Sequence, residues 1–339
     1  MYYFENMDVI KNLKKIFIKM RGGLGNQLFM LAYVIGLKKK DEDVKIIIDN
    51  SDYEHYHLRN FELLRYLAGN DDFIIGMDKE AFYHKFLFSC VYKLYHLFFY
   101  VYKKFGKKIP IENIETILRK LGFDFTEHGN GKINYSNRSN TYVYGYFQDY
   151  KLVDNSKDEL LKVISNPLVI NKFMDNENVC NLYNQINKSD KNLAVSMRCG
   201  PDYVSLGWPI CSKEYYLEGI KYFVNKENIN TENIFIFSDE ISEAKKILMK
   251  EFPQLKYVNG LNPTESLFVM SLCDNFIISN SSFAWWGQEL SSNKSKKVIA
   301  PSSWFNNNDY NVAKIYRNNF HILDNEGKVI KANHIRGTK

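Results

Sequence analysis

Three strand-like segments in the second half of the chain are each followed by polar side chains that could bind an anion. The groups are Arg198 after residues 193–197, Ser238 with Asp239 at the end of residues 233–239, and Ser281 with Ser282 after residues 276–278. A planar guanidinium fits a pair of phosphate oxygens, hydroxyls donate hydrogen bonds, and a carboxylate accepts them from a nucleobase or a sugar. These residue types together favour a ligand that carries a diphosphate.

The hydroxyl pair lies at a junction between a strand and a helix. The apolar run 276–278 predicts a short buried strand, and residues 284–290 have the composition of a helix. Serine and asparagine at the junction are common N-caps, and a helix start beyond a strand end offers unpaired N–H groups to an anion. The alternative is a purely structural capped helix with Trp285 and Trp286 in the core.

The elements around these groups alternate regularly. Strands are predicted over 193–197, 233–239, 255–258, 276–278 and 297–300, and helices over 213–224, 241–252, 263–272 and 284–290. Asn262, Pro263 and Glu265 have the spacing of an N-cap, a first-turn proline and a capping-box glutamate. Alternating strands and helices predict a doubly wound parallel sheet, in which all strands end at one edge and ligands bind there.

The first half opens with a second βαβ pattern. Residues 16–20 and 44–49 predict strands, residues 27–40 a helix, and residues 21–26 a glycine-rich turn between them. A dinucleotide-binding alternative exists here, because Gly23 and Gly25 match the first two fingerprint glycines and Asp49 ends the second strand. Leu28 occupies the third glycine position, so this match is weak. The Asn26 and Gln27 amides could instead hydrogen-bond a ligand.

The domain layout follows from changes in composition along the chain. We predict an N-terminal α/β domain over residues 1–155, a helical crossing over 156–190, a C-terminal nucleotide-sugar-binding domain over 191–305, and a tail over 306–339 that returns toward the N-terminal domain. Residues 76–140 form an insertion rich in aromatic residues and lysine. Such a mixture suits an interfacial membrane helix, but a helical insertion packed on its own domain is the favoured interpretation.

Composition limits the function classes. The chain has 339 residues, 45% of them hydrophobic, and its net charge of +6 is dispersed rather than concentrated in a basic stripe. This favours a small anionic ligand or an anionic membrane surface over a nucleic acid. The scattered cysteines form no CxxC pair, and no signal peptide or membrane-spanning run is predicted. We therefore expect a cytoplasmic protein, with peripheral membrane contact as an open alternative.

Three motifs together resemble glycosyltransferase family 11, the bacterial α-1,2-fucosyltransferases. They are Arg21–Phe29, Phe237–Glu240 and Ser271–Gly287. The resemblance implies a GT-B-like fold, in which two Rossmann-like parallel α/β domains face each other across a cleft. It also implies inverting, metal-independent transfer of L-fucose from GDP-β-L-fucose, with no cofactor. The implied acceptor is a terminal β-galactoside of a surface polysaccharide.

The arginine motif of the family is only partly present, in Ser196–Tyr203. Ser196 stands in place of its histidine, Cys199 in place of its second arginine, and Pro201 is extra. The resemblance therefore assigns the donor diphosphate to Arg198, but it does not carry over the histidine contact to the base. Asp202 is the carboxylate in this motif that we nominate as the general base.

The sequence thus predicts the following site. The catalytic candidates are Arg198, Asp202 and Asn26, and the donor-binding candidates are Arg198, Ser238, Asp239, Asn280, Ser281, Ser282, Phe283, Gly23 and Gly25. No metal is expected. The acidic triplet 41–43 resembles a motif that binds a metal and a diphosphate, but it lies between a helix and the start of a strand, at the edge of the sheet away from the expected ligand site. The alternatives are another GDP-sugar transferase, an NAD(P)-dependent oxidoreductase, and a non-catalytic protein that binds glycans or membranes.

Overall fold

The structure is a computed structural model that divides into two compact units, residues 1–164 and residues 165–339. It describes residues 14–39, 41, 43–55, 59–76, 81–105, 111–126, 140–189, 191–200, 211–304 and 314–330. Each unit contains a sheet of mainly parallel strands with helices, as the predicted α/β class requires. The first unit extends past the predicted boundary at residue 155, because the helix Tyr150–Ile164 is continuous across that point.

Unit 1 is built on a five-stranded parallel sheet. Its strands are β1 (Lys15–Lys19), β2 (Lys45–Asp49), β3 (Phe73–Ile75), β4 (Phe123–Phe125) and β5 (Asn140–Tyr144). Its helices are α1 (Leu24–Lys38), α2 (Asp52–His55), α3 (Leu64–Leu67), α4 (Ala81–Phe105), α5 (Ile111–Lys120) and α6 (Tyr150–Ile164). The strand order is β3-β2-β1-β5-β4, so β1 is central and the glycine-rich turn follows the middle strand.

The predicted insertion packs on its own unit through aromatic side chains. Phe88 and Tyr95 of α4 are buried in a cluster with Phe125 and Tyr144 of the sheet. Phe88 and Phe125 have ring centroids 5.1 Å apart, within the range of favourable aromatic pairs. The insertion also contributes β4, which pairs with β5 and which the sequence analysis did not identify as a strand.

Unit 2 is built on a seven-stranded sheet. Its strands are β6 (Leu193–Met197), β7 (Ile234–Ser238), β8 (Lys256–Tyr257), β9 (Asn275–Ile277), β10 (Val298–Pro301), β11 (Phe320–Leu323) and β12 (Val329–Ile330). Its helices are α7 (Pro167–Met174), α8 (Glu177–Asn187), α9 (Lys213–Glu227), α10 (Ile241–Leu248), α11 (Pro263–Ser271) and α12 (Ser282–Leu290), with a 3₁₀ turn at Thr231–Asn233. The strand order is β12-β11-β10-β9-β6-β7-β8.

The last described segment of the chain adds two strands to the sheet of unit 2. Residues 320–323 pair in parallel with β10, and residues 329–330 return antiparallel to them. This part of the tail therefore extends the sheet of unit 2. Phe320, Ile322 and Leu323 are buried, so a further strand covers apolar area at the edge of the core.

The N-cap predicted at Asn262 is confirmed. The Asn262 side chain accepts from the N–H groups of Thr264 and Glu265, both at 3.1 Å, and the Glu265 carboxylate accepts from the Asn262 N–H at 3.0 Å. With Pro263 at the first helical position, this reciprocal capping box fixes the start of α11. Helix α11 in turn packs against α12, the helix that follows the hydroxyl pair.

Candidate active site

The three strand ends singled out by the sequence are neighbours in one sheet. Strand β6 pairs in parallel with β7 on one side and with β9 on the other. The chain proceeds from β6 outward through β7 and β8, then crosses back to β9 on the opposite side of β6. Such a reversal of strand order opens a crevice beyond the carboxyl ends, where ligands of doubly wound sheets bind. Arg198 directly follows β6 at this switch point, and Ser281 follows β9.

Arg198 is joined to Asp239, the residue after β7. Its Nη1 lies 3.0 Å from Asp239 Oδ2, and both side chains are about one-fifth exposed, at 21% and 20%. The other carboxylate oxygen, Oδ1, accepts from the backbone N–H of Cys199 at 2.8 Å. The Asp239 carboxylate thus holds both the side chain and the backbone of the 198–199 segment at the switch point.

The thiol next to Arg198 is neutral at physiological pH. Burial raises the pKa of Cys199 to about 11, and the nearby Asp239 charge acts in the same direction. Burial also raises the pKa of Cys211 to about 12. Because a nucleophilic cysteine needs a lowered pKa, neither thiol is suited to covalent catalysis. Because Cys199 stands where the family motif has its second arginine, the positive charge of this segment comes from Arg198.

Two predicted donor-binding side chains make internal hydrogen bonds. The Ser238 hydroxyl donates to the Glu240 carbonyl oxygen and accepts from the Glu240 N–H, both at 3.1 Å, which shapes the turn before α10. Asn280 is 3% exposed, and its amide donates to the Trp304 carbonyl oxygen at 3.4 Å. Both side chains therefore support the loops at this edge of the sheet.

Helix α12 begins without a side-chain cap. Ser281 occupies the N-cap position in an extended conformation, but its hydroxyl makes no capping bond. Its carbonyl oxygen accepts from the Trp285 N–H at 2.9 Å, which closes the first turn. Ser281, Ser282 and Phe283 are half-buried. Within the described part of the chain no side chain caps the first N–H groups of the helix, so they can donate to a ligand or water, and the helix dipole favours an anion there.

The position of α12 is fixed by contacts on its opposite side. Trp285 is fully buried and its Nε1 donates to the Ile315 carbonyl oxygen at 2.8 Å. Glu289, 2% exposed, accepts from Arg317 Nε at 2.6 Å and from Nη2 at 2.8 Å. A bidentate pair of this kind defines orientation as well as distance. The helix start is thus held in place independently of any ligand.

The second group of candidate residues is the glycine-rich turn of unit 1. Gly22 has a φ of 76°, in the left-handed region, and Gly23 is the N-cap residue of α1. The N–H groups of Asn26 and Gln27 both donate to the Gly23 carbonyl oxygen at 3.0 Å. Gly25 is buried inside the first turn of α1. The glycines therefore allow a tight passage from β1 into α1.

Gln27 holds this turn to the following segment of unit 1. Its amide nitrogen donates to the carbonyl oxygens of Gly22 at 3.0 Å and Asn60 at 2.8 Å. Its amide oxygen accepts from the N–H groups of Glu62 at 2.9 Å and Leu63 at 3.3 Å. The Gln27 side chain is fully buried and makes all four of these hydrogen bonds, so its role is structural.

Asn26 and Arg21 lie beside the end of β5. The Asn26 Oδ1 accepts from Gln148 Nε2 at 2.8 Å. Arg21 donates to the Tyr144 hydroxyl, and its guanidinium lies 4.8 Å from the centroid of the Tyr146 ring. Gln148 was not among the predicted site residues, although a polar residue just after a strand was the signal used elsewhere. Arg59 was not among them either. It lies beside the turn, since a Cβ placed on Gly23 would be 3.7 Å from its Cδ.

Comparison with known proteins identifies the family. Residues 15–323 match the sequence profile of glycosyl transferase family 11. The chain belongs to this family. It is 26% identical over 301 residues to an α-1,2-colitosyltransferase of Escherichia coli, covering 86% of this chain and 93% of the relative. It is 27% identical over 318 residues to the O-antigen biosynthesis glycosyltransferase WbnK of Escherichia coli, covering 85% and 94%.

Solved structures of other transferases are similar more distantly. The fucosyltransferase NodZ from Bradyrhizobium aligns with a TM-score of 0.48 and 11% identity, covering 82% of this chain and 93% of that one. The sequence relationship, which spans most of the chain, is the finding that decides the family. The protein is therefore a glycosyltransferase, and the switch-point residues of unit 2 are its candidate donor site.

The remaining predictions for this family 11 glycosyltransferase concern three aspartates and a metal site. Asp202 lies within residues 201–210, outside the described residues. Asp49, which a dinucleotide-binding protein would present to a ribose, is buried and accepts from the Ser51 N–H at 3.0 Å. Asp41 pairs with Lys14 at 2.6 Å. In the part of the chain that is described, no group of three or more His, Cys, Asp or Glu could hold a metal ion.

Proposed function

We propose that this glycosyltransferase moves L-fucose, with inversion, from GDP-β-L-fucose to the 2-hydroxyl of a terminal galactoside in a surface glycan. The observation that carries the proposal is the Arg198–Asp239 pair at the switch point of unit 2, next to the uncapped start of α12. This combination is suited to a diphosphate. The α-1,2 linkage in the name of one relative and the O-antigen role in the name of the other support the linkage and the acceptor class.

The chemical requirement is stabilisation of the leaving group. As GDP departs from an oxocarbenium-like centre, negative charge grows on its β-phosphate. Arg198 would contribute a charge-assisted hydrogen bond of about 1.5–3 kcal/mol. The half-buried helix start would add about 0.3–1 kcal/mol, with Ser281 and Ser282 as further donors. Arg198 is therefore the main electrostatic group in the proposed mechanism.

The acceptor has to be activated on the opposite face of the sugar. We assign the general base to Asp202 and a positioning contact to Asn26. The Asn26 amide oxygen is already occupied by Gln148, so the amide N–H₂ is the end offered to a sugar hydroxyl. Gly23 and Phe283 complete the proposed contacts, through a backbone N–H and an aromatic ring respectively. We propose that no metal takes part, because Arg198 and the helix start supply the countercharge.

The function is tested by GDP release from GDP-fucose with a panel of galactosides, followed by linkage and anomeric analysis of the product. The expected product is an α-1,2-linked fucoside, formed equally well in EDTA. GDP-fucose that yields no product with any galactoside, while another GDP-sugar does, would overturn the donor assignment. A colitosyl donor is the second candidate to include, because a relative is named as a colitosyltransferase.

The site is tested with Arg198 variants. Arg198→Ala should lower kcat/KM at least about a hundredfold, the equivalent of losing about 2.7 kcal/mol of transition-state stabilisation. Arg198→Lys, which keeps the charge but loses the planar fork, should recover only part of this loss. Arg65→Ala is the matched control, because Arg65 is exposed on α3. Near-normal turnover in Arg198→Ala would reject the assignment.

A further inference from the structure

Helix α4 of unit 1 has two apolar sides, and the described residues cover only one of them. On the inner side, Phe88 and Tyr95 are buried against the sheet. The other side is the outer face of α4, whose members are between 43% and 63% exposed: Phe86, Leu94, Leu97, Phe98, Tyr100 and Val101. The protein thus keeps a row of large apolar side chains in solvent on its longest described helix.

The outer face is a continuous stripe along one side of the helix. Residues 86, 94, 97 and 101 are separated by intervals of eight, three and four positions, which return to the same side of an α-helix. At a rise of 1.5 Å per residue, the stripe from Phe86 to Val101 is about 22 Å long. Single exposed apolar residues are ordinary, but a stripe of this length indicates an interaction surface.

The charge of the helix decides what kind of partner fits. Its 25 residues include Lys85, Lys93, Lys103 and Lys104 and no aspartate or glutamate. Lys93 is exposed next to Leu94, and Lys104 Nζ lies 5.9 Å from the centroid of the Tyr100 ring. Two copies of such a helix would repel each other at close range. An anionic surface instead satisfies the lysines while the apolar stripe is buried.

The helix is suited to lie on a bilayer rather than to cross it. Within the described residues, no helix is both long and apolar enough to span a membrane. A helix with an apolar stripe, aromatic residues and flanking lysines binds in the plane of the interface, with its apolar side in the headgroup region. An outer face that contacts only water is not supported. Phe86, Leu97 and Tyr100 occupy the side on which a helix at the surface of a soluble protein usually carries charged residues.

We propose that the outer face of α4 is a docking surface for an anionic phospholipid membrane. Lys93 and Lys104 attract the lipid headgroups, and the exposed apolar side chains insert between them. This role is separate from glycosyl transfer, because it uses residues of the insertion alone and none of the candidate site residues. It places the enzyme at a membrane surface through a reversible contact.

Vesicle flotation tests the proposal. The full-length protein should bind mixed phosphatidylcholine–phosphatidylglycerol vesicles and should bind pure phosphatidylcholine vesicles at least about tenfold more weakly, because the attraction between the lysines and the anionic headgroups is then lost. A Leu94→Glu/Leu97→Glu variant should lose binding to the mixed vesicles. Leu168→Glu/Met249→Glu is the matched control, since both residues are exposed apolar positions of unit 2.

The charge component is tested separately. Lys93→Glu should weaken binding to the mixed vesicles at least about threefold, and Lys250→Glu, at an exposed lysine beyond α10, should not. Thermal unfolding and activity on a short soluble acceptor should be unchanged in all these variants, which separates this proposal from the proposed function. Wild-type protein that ignores mixed vesicles would overturn it, as would a dimer that depends on Leu94 and Leu97 without vesicle binding.

Cys90 offers a direct probe of the contact. It is exposed and lies between Phe86 and Leu94 on α4. An environment-sensitive fluorophore attached to Cys90 should shift its emission to the blue on addition of mixed vesicles. A Cys90→Ser protein treated identically gives the background from the other cysteines. An unchanged emission from labelled Cys90 in vesicle-bound protein would show that another surface makes the contact.

Discussion

The substitution Asp239→Asn tests how Arg198 is positioned. The amide has nearly the same shape as the carboxylate, and its oxygen can still accept from the Cys199 N–H, now 2.8 Å from Oδ1. The other end of the amide, however, is a donor and faces Arg198 Nη1 at 3.0 Å. The substitution therefore preserves the backbone anchor and removes the ion pair that orients the guanidinium.

The size of the effect follows from the partial exposure of the pair. At 3.0 Å and an effective dielectric constant of about 20, the gross attraction is about 5 kcal/mol. Each side chain is about one-fifth exposed, so the net coupling lies between that of a surface pair and that of a buried pair, at about 1–3 kcal/mol. If this energy is lost in orienting Arg198, the affinity for GDP should fall by a factor of about 5 to about 150.

Removing a carboxylate near an anion site also has an opposite effect, since it relieves repulsion of the phosphates. We expect the loss of orientation to dominate, because the amide introduced at position 239 would present a hydrogen-bond donor to another donor. Calorimetry with GDP and kcat/KM for GDP-fucose measure the outcome. A double-mutant cycle with Arg198→Ala should show that Asp239→Asn adds little once the charged partner is gone. Unchanged or tighter GDP binding in Asp239→Asn would refute this reasoning.

Three further predictions concern the surroundings of the site. Arg317→Met should lower the free energy of unfolding by about 3–5 kcal/mol in urea titrations, because it removes the bidentate ion pair of the buried Glu289 carboxylate, whereas Arg65→Met should have little effect. Cys199, with a pKa of about 11, should be alkylated more slowly than exposed Cys90 at pH 8, and its rate should rise with pH toward 11 as the thiolate forms; faster labelling of Cys199 at pH 8 would contradict this. Gly287→Ala would bring a Cβ well inside the contact distance of Met270 Sδ, so it should cost about 1–3 kcal/mol, part of which a second change, Met270→Ala, should restore.

The switch-point site could be predicted from sequence because its signals are local. Strands β6 and β7 are short runs of apolar residues, and polar residues come directly after each of them. The capping box at Asn262 has a fixed spacing that fits the start of a helix. Parallel order then follows from the alternation of strands and helices, and it brings the strand ends to one edge. The shared edge of Arg198 and Asp239 follows from this order. Their ion pair does not, because the residue types alone had assigned the Asp239 carboxylate to a nucleobase or a sugar.

Other features have no local signal. Strand β4 has three residues, Phe123–Phe125, too few for a hydrophobic period to distinguish it from the surrounding helical stretch. Strands β11 and β12 follow a stretch without periodic pattern, so their addition to the sheet of unit 2 was missed. The internal use of Ser238 and Asn280 was missed for a different reason. Residue type shows that a side chain can bond, but not whether a neighbouring backbone group has already taken the bond.

The two anchors of the candidate site have a consequence for catalysis. Asp239 holds Arg198 beside β7, while the Glu289–Arg317 pair and the buried Trp285 hold α12 beyond β9. Electrostatic stabilisation of a leaving diphosphate is effective only when the donors are in place before the charge develops, because reorganisation would cost part of the gain. Residues such as Arg317, which need not touch the donor, should therefore influence turnover as well as stability. In the proposed mechanism, this edge of the sheet therefore contributes donors whose orientation is fixed before the diphosphate leaves.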